Sequence, residues 1–68
     1  MSTRWIYNTS GQAAYYQDGK YVYHPTSGQC EYWEDNGWWY KMVDGTAAYY
    51  IRGDWLYTLN GRGMLYYG

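Results

Sequence analysis

The chain has 68 residues, 12 of them Tyr, 5 Trp and none Phe, with a net charge of −1. A length this small holds one domain, and five scattered Lys and Arg argue against a duplex nucleic-acid surface. No apolar run nears the roughly 18 residues of a membrane span, the lone Cys30 excludes a disulfide framework or multi-cysteine metal site, and the aromatic content excludes disorder.

Turn signals at Ser10-Gly11, Asp18-Gly19, Ser27-Gly28, Asn36-Gly37, Asp44-Gly45, Arg52-Gly53 and Asn60-Gly61 divide the chain into eight short segments rich in Tyr, Trp, Val and Ile. Glycine after Asn or Asp supplies the positive φ of tight hairpin turns. No interval is long enough for an ordinary helix, so each segment is a strand of about five or six residues.

In the first hairpin (about 4–19), reading Ser10-Gly11 as a two-residue loop places Tyr7 opposite Ala14, Ile6 opposite Tyr15 and Trp5 opposite Tyr16. Asp18-Gly19 then leads into the second hairpin (about 20–37), with Tyr16 opposite Tyr21 and Tyr15 opposite Val22. Within that hairpin, Ser27-Gly28 needs a three-residue loop with glycine as a bulge. The third hairpin (about 38–53) makes the same demand at Asp44-Gly45. Arg52-Gly53 opens the fourth (about 54–67), setting Tyr50 opposite Trp55 and Tyr49 opposite Leu56, and Asn60-Gly61 sets Trp55 opposite Tyr66. The prediction is a single all-β domain over 1–68, an antiparallel meander of four repeated hairpins forming a curled sheet or small barrel without helix. Repetition at this scale implies units that bury their apolar faces only against neighbours.

Opposed residues share a face of an antiparallel sheet. One predicted face carries Trp5, Tyr7, Tyr16, Tyr21, Tyr23, Trp33, Trp38, Tyr40, Tyr50, Trp55, Tyr57 and Tyr66. The other carries Ile6, Tyr15, Val22, Tyr32, Trp39, Tyr49, Leu56 and Leu65, with the small residues Ala13, Cys30, Ala47 and Gly63. The mixed second face reads as a core. The nearly unbroken aromatic face reads either as a surface hidden by curling or by a second copy of the chain, or as a platform for ligands. Tyr and Trp rings stack on sugar rings, hold quaternary ammonium groups and grip prolines.

The stretches GKYVYHPTSGQC (19–30), GWWYKMVDGTAA (37–48) and GDWLYTLNGRGM (53–64) resemble the aromatic hairpin repeats of choline-binding and related bacterial cell-wall-binding modules. That resemblance implies ligand cages of two or three aromatics between neighbouring repeats, assigned to Trp5, Tyr7, Tyr21, Tyr23, Trp38, Tyr40, Trp55 and Tyr57, with Trp39 an alternative to Trp38. It covers most of the chain. The family's repeats are longer, usually close with Gly-Trp and belong to exported proteins, whereas nothing here directs export and a cytoplasmic location is expected unless the chain is an excised surface module. A second resemblance, carried by YVYHPTSGQCEYW, is to OCRE domains and the WW hairpin, which bind proline-rich peptides.

Catalytic chemistry has no evident seat. His24 precedes Pro25 and shares its repeat position with Asn8, Lys41 and Thr58, which reads as a solvated strand end rather than a general base. Cys30 falls at a small-residue position and reads as a packed thiol. Glu31, Glu34 and Asp35 lack calcium-loop spacing and read as a solvated turn. The expectation is a non-enzymatic binding module for carbohydrate or quaternary-ammonium ligands, without cofactor, metal or membrane insertion. The alternatives are a self-assembling β protein, whose aromatic face is a homo-oligomer interface, and a proline-rich-peptide binder.

Overall fold

A computed structural model describes residues 3–68. It contains β1 (Thr3–Asn8), β2 (Ala13–Asp18), β3 (Tyr21–Tyr23), β4 (Cys30–Asp35), β5 (Trp38–Lys41), β6 (Ala47–Arg52), β7 (Trp55–Thr58) and β8 (Gly63–Tyr67), and no helix among the described residues. Each strand pairs antiparallel with its sequence neighbours. β1 also pairs with β8 through Ile6–Tyr67, Tyr7–Tyr66 and Asn8–Leu65, closing a barrel. Closure removes the two unpaired edges an open meander would expose.

The interior is built from one residue of each odd-numbered strand at the same repeat position. Ile6, Val22, Trp39 and Leu56 are all fully buried, and β8 adds Leu65 and Tyr67. Ala14, Tyr15, Tyr32, Tyr49 and Ile51 pack around them. Ile6, Tyr15, Val22, Tyr32, Trp39, Tyr49, Leu56 and Leu65 lie on the core face expected from the turns, while Tyr67, Ala14 and Ile51 join it unforeseen.

Four of the expected pairings move, two at each of two turns, and their faces survive. Asp18 pairs with Tyr21 and Tyr16 with Tyr23, while Arg52 pairs with Trp55 and Tyr50 with Tyr57. The loops there are Gly19-Lys20 and Gly53-Asp54, with φ of 65° and 63° at the leading glycine. Glycine takes the first central position of such a turn, not the second. Shifting a turn by one residue shifts each partner by two, so every side chain keeps its side. At Asn36-Gly37 both residues have positive φ, 56° and 85°, the geometry for which Asn-Gly is the preferred pair.

The other four loops end in bulges. Tyr7 lies opposite Ala13, Tyr23 opposite Cys30, Tyr40 opposite Ala47 and Tyr57 opposite Gly63, each one step beyond a register shift. The bulge transfers these small residues from the predicted core face to the aromatic side. A Cβ on Gly63 would come within 3.3 Å of the Trp55 ring and 3.7 Å of Tyr57. The loops are also one residue longer than expected. The Gly11 N–H donates to the Asn8 carbonyl and Gly61 to Thr58, whereas Gly28 donates to His24 and Gly45 to Lys41.

His24 sits just past the end of β3 beside the turn, as expected, and also caps the loop that follows. Its Nδ1 accepts the N–H groups of Thr26 (3.2 Å) and Ser27 (3.3 Å), as Asn8 Oδ1 accepts those of Ser10 and Gln12 in the first loop. His24→Ala is expected to cost about 1 kcal/mol, with His24→Asn close to the parent in chemical denaturation. Equal losses in both variants would contradict this capping role.

Candidate functional site

The outward rings form four ladders, each running across three strands. Trp5–Tyr16–Tyr23 spans β1 to β3, Tyr21–Trp33–Tyr40 spans β3 to β5, Trp38–Tyr50–Tyr57 spans β5 to β7, and Trp55–Tyr66–Tyr7 crosses the closure from β7 to β1. Cross-strand neighbours on one face lie close enough for rings to touch, and the right-handed twist passes each ladder diagonally to the next hairpin.

Within a ladder the middle and last rings stack. Tyr16–Tyr23, Trp33–Tyr40, Tyr50–Tyr57 and Tyr7–Tyr66 have centroids 5.3, 4.6, 5.5 and 5.7 Å apart, with interplanar angles of 24°, 26°, 15° and 29°. The leading ring tilts onto this stack: Trp5–Tyr16 at 46°, Trp38–Tyr50 at 49° and Trp55–Tyr66 at 43°. The leading rings are the exposed ones, with Trp5 at 42%, Tyr21 at 40%, Trp38 at 38% and Trp55 at 40%. The remaining eight are half-buried by their neighbours.

All eight residues picked out in the sequence lie on this belt, grouped across neighbouring hairpins rather than within one. Trp5 and Tyr7 of one hairpin belong to separate ladders, as do Tyr21 and Tyr23, Trp38 and Tyr40, and Trp55 and Tyr57. Each ladder begins and ends with one of the eight. The rings missed as site residues are the middle ones, Tyr16, Trp33, Tyr50 and Tyr66, all on even-numbered strands. Trp39 is interior and unavailable to a ligand on this surface.

Acidic side chains flank two of the leading rings, since Asp18 is the strand partner of Tyr21 and Asp35 that of Trp38, while Arg52 partners Trp55. Lys20 Nζ lies 5.5 Å from the Tyr21 ring centroid. The second ladder also borders an open notch of about 340 Å³ lined by Lys20, Tyr21, Trp33, Lys41, Met42 and Gly45. Lys41 reaches two further cavities at the same end of the barrel, of about 390 and 420 Å³, and Tyr32 contributes to both.

Beneath the belt, the opposite end of the barrel is closed by a polar network. The Tyr67 hydroxyl donates to Gln17 Oε1 (2.8 Å), and Gln17 Nε2 donates to Glu34 Oε1 (2.6 Å) and the Gly19 carbonyl (3.1 Å). Arg4 lies 3.7 Å over the Tyr67 ring. Glu34 therefore belongs to a cross-barrel bond rather than to a solvated turn. Burial first, and the Glu34 carboxylate second, push the Tyr67 hydroxyl up to about 12, against a smaller opposing pull that includes Arg4. Burial and the nearby Tyr15 phenol also raise Tyr32 and Tyr49.

A phenol whose folded pKa exceeds its unfolded value stabilises the fold fully below the unfolded value, about 10, and loses that contribution as pH rises through the folded one. Thermal midpoints are thus expected to fall progressively between about pH 10 and about pH 12, with a shallower fall in Tyr67→Phe. A flat profile over that window would contradict the burial of these phenols.

The Cys30 thiol is half-buried and donates to the Tyr32 carbonyl of its own strand at 3.5 Å. Among the described residues, no group of three or more His, Cys, Asp or Glu gathers in a way that would hold a metal ion. Comparison with protein-family models, curated proteins and solved structures finds no match to this chain.

Proposed function

We propose that this barrel is a non-catalytic carbohydrate-binding module whose stacking platforms are Trp5, Tyr21, Trp38 and Trp55. The observation that carries the reading is the repeated exposure of one ring per ladder, held in three of the four at a tilt of 43–49° by two rings that support each other. A pre-oriented ring loses little conformational freedom on contact with a flat sugar face, which favours binding. Asp18 and Asp35 lie beside two of these rings, where a carboxylate can accept sugar hydroxyl donors. Quaternary ammonium groups are served less well, because a cation cage needs several rings converging on one point. On this convex belt the leading rings diverge, one to each ladder.

The test is a panel read by tryptophan emission and calorimetry: neutral oligosaccharides, choline and a proline-rich peptide. Saturable binding of a neutral oligosaccharide, lost in Trp38→Ala or Trp55→Ala, is the expected result. Binding of choline or peptide alone would replace the proposal with the corresponding rival. A second reading, assembly of copies through the belt, draws support from four exposed large rings on a small barrel, since contiguous apolar patches are usually covered. It predicts a multimeric mass in solution and indole emission already blue-shifted, unresponsive to every ligand.

A further inference from the structure

Departures from the barrel's fourfold repetition gather in one quadrant. Three ladders lead with Trp and carry Tyr in the middle; the second leads with Tyr21 and places Trp33 in the middle. In three hairpins the strand-end position holds Asn8, His24 or Thr58, each of which accepts a backbone N–H of its own loop. Lys41 cannot accept, and Asp44 takes over that task by bonding the Thr46 N–H (3.0 Å) and hydroxyl (2.7 Å). Where the leading indoles of the other ladders lie 5.2–5.5 Å from their middle rings, Tyr21 and Trp33 border the 340 Å³ notch.

We propose that this notch is a subsite for an acidic sugar, a hexuronate residue within a glycan, resting on the carbohydrate-binding reading above. One side of Trp33 is covered by Tyr40 at 4.6 Å. Trp33, Tyr21 and Met42 supply the apolar wall against which a pyranose lies, and Lys20 and Lys41 supply two ammonium groups for its carboxylate. Of the acids nearby, Asp44 bonds Thr46 while its carboxylate also attracts Lys41, Asp18 lies on β2 on the far side of Tyr21 from Trp33, and Glu31 lines the adjoining cavity rather than the notch. Two ammonium groups also repel a quaternary ammonium ligand, so this quadrant distinguishes acidic glycans from choline.

The experiment titrates the whole chain with a galacturonate trisaccharide, its methyl ester and inorganic phosphate, and repeats the series with Lys20→Gln/Lys41→Gln. Both lysines are exposed, and unchanged thermal midpoints would verify folding of the variant. The acid is expected to bind about tenfold more tightly than the ester, equivalent to one charge-assisted contact. That preference should vanish in the double variant and weaken as salt rises. Equal affinity for acid and ester, or a preference untouched by the lysine changes, would overturn the subsite while leaving the belt reading intact. Phosphate binding as tightly as the trisaccharide would overturn the role of Trp33 and Tyr21. Failure of acid and ester alike, with neutral glycans also inert, would overturn both.

Discussion

Replacing Trp39 with alanine is expected to remove about 3–5 kcal/mol, a large share of the stability a domain this small holds. The indole is the largest side chain wholly removed from solvent. It packs between Tyr15 (6.1 Å, 85°), Tyr32 (5.4 Å, 32°) and Tyr49 (6.0 Å, 90°), so three interior phenols lose their common neighbour with it. Truncating a buried aromatic costs about 3–5 kcal/mol, because contacts vanish and the surroundings collapse only in part. A chain of this length commands about 3–10 kcal/mol in total by the usual per-residue range. Trp39→Leu is expected to be much milder. The equivalent positions hold Ile6, Val22 and Leu56, and the indole Nε1 is buried without a hydrogen-bond partner, so removing it relieves a polar cost. Urea unfolding of both variants checks the ordering; alanine and leucine variants of equal stability would contradict it.

The second large effect separates the rings of a ladder by role. Tyr50 is sandwiched between Trp38 and Tyr57, 5.5 Å from each. Tyr50→Ala removes two aromatic pairs, each contributing about 0.5–1.5 kcal/mol beyond burial, and leaves a gap on the sheet. A loss of about 2–3 kcal/mol in stability is expected. Trp38→Ala breaks one tilted pair at the exposed end and should cost about 1 kcal/mol, yet it removes a whole stacking platform. Under the proposed function its affinity for a neutral oligosaccharide falls about tenfold, while Tyr50→Phe leaves both stability and affinity near the parent. Denaturation paired with calorimetry reads the two effects apart. Trp38→Ala destabilising more than Tyr50→Ala would show that the leading rings, not the middle ones, hold the ladders together.

Much of this architecture is legible in the residues. Glycine after Asn, Asp, Ser or Arg marks every turn, and strand alternation assigns Ile6, Val22, Trp39 and Leu56 to one side and Trp5, Tyr21, Trp38 and Trp55 to the other. The sidedness is robust because a misplaced two-residue turn, as at Asp18-Gly19 and Arg52-Gly53, displaces partners by two and never by one. The bulges are less visible. Ala13, Cys30, Ala47 and Gly63 sit opposite a tyrosine on the ladder side, crowded by the Trp55 and Tyr57 rings at Gly63, rather than filling a core, and smallness alone does not say which.

Gln17 is the other hidden element. Its amide is stable inside only because Tyr67 and Glu34 meet it from distant strands, and neither contact follows from local pattern. Its repeat partners, Glu34, Ile51 and Tyr67, do carry a signal, since aligning the four hairpins puts a buried Tyr and a half-buried Ile at that position. The ladders could not be read within single hairpins for a related reason. Each one crosses a hairpin boundary, and the fourth exists only because β8 meets β1.

The most direct measurement is a two-dimensional spectrum of the five indole N–H groups, followed during addition of a neutral oligosaccharide. The indoles of Trp5, Trp38 and Trp55 are expected to shift in saturable fashion, while Trp39, enclosed in the barrel, stays in place and exchanges slowly with solvent. Rapid exchange at Trp39, or shifts at Trp39 with none at the three leading rings, would contradict an outward aromatic belt on a closed barrel and the binding role built on it.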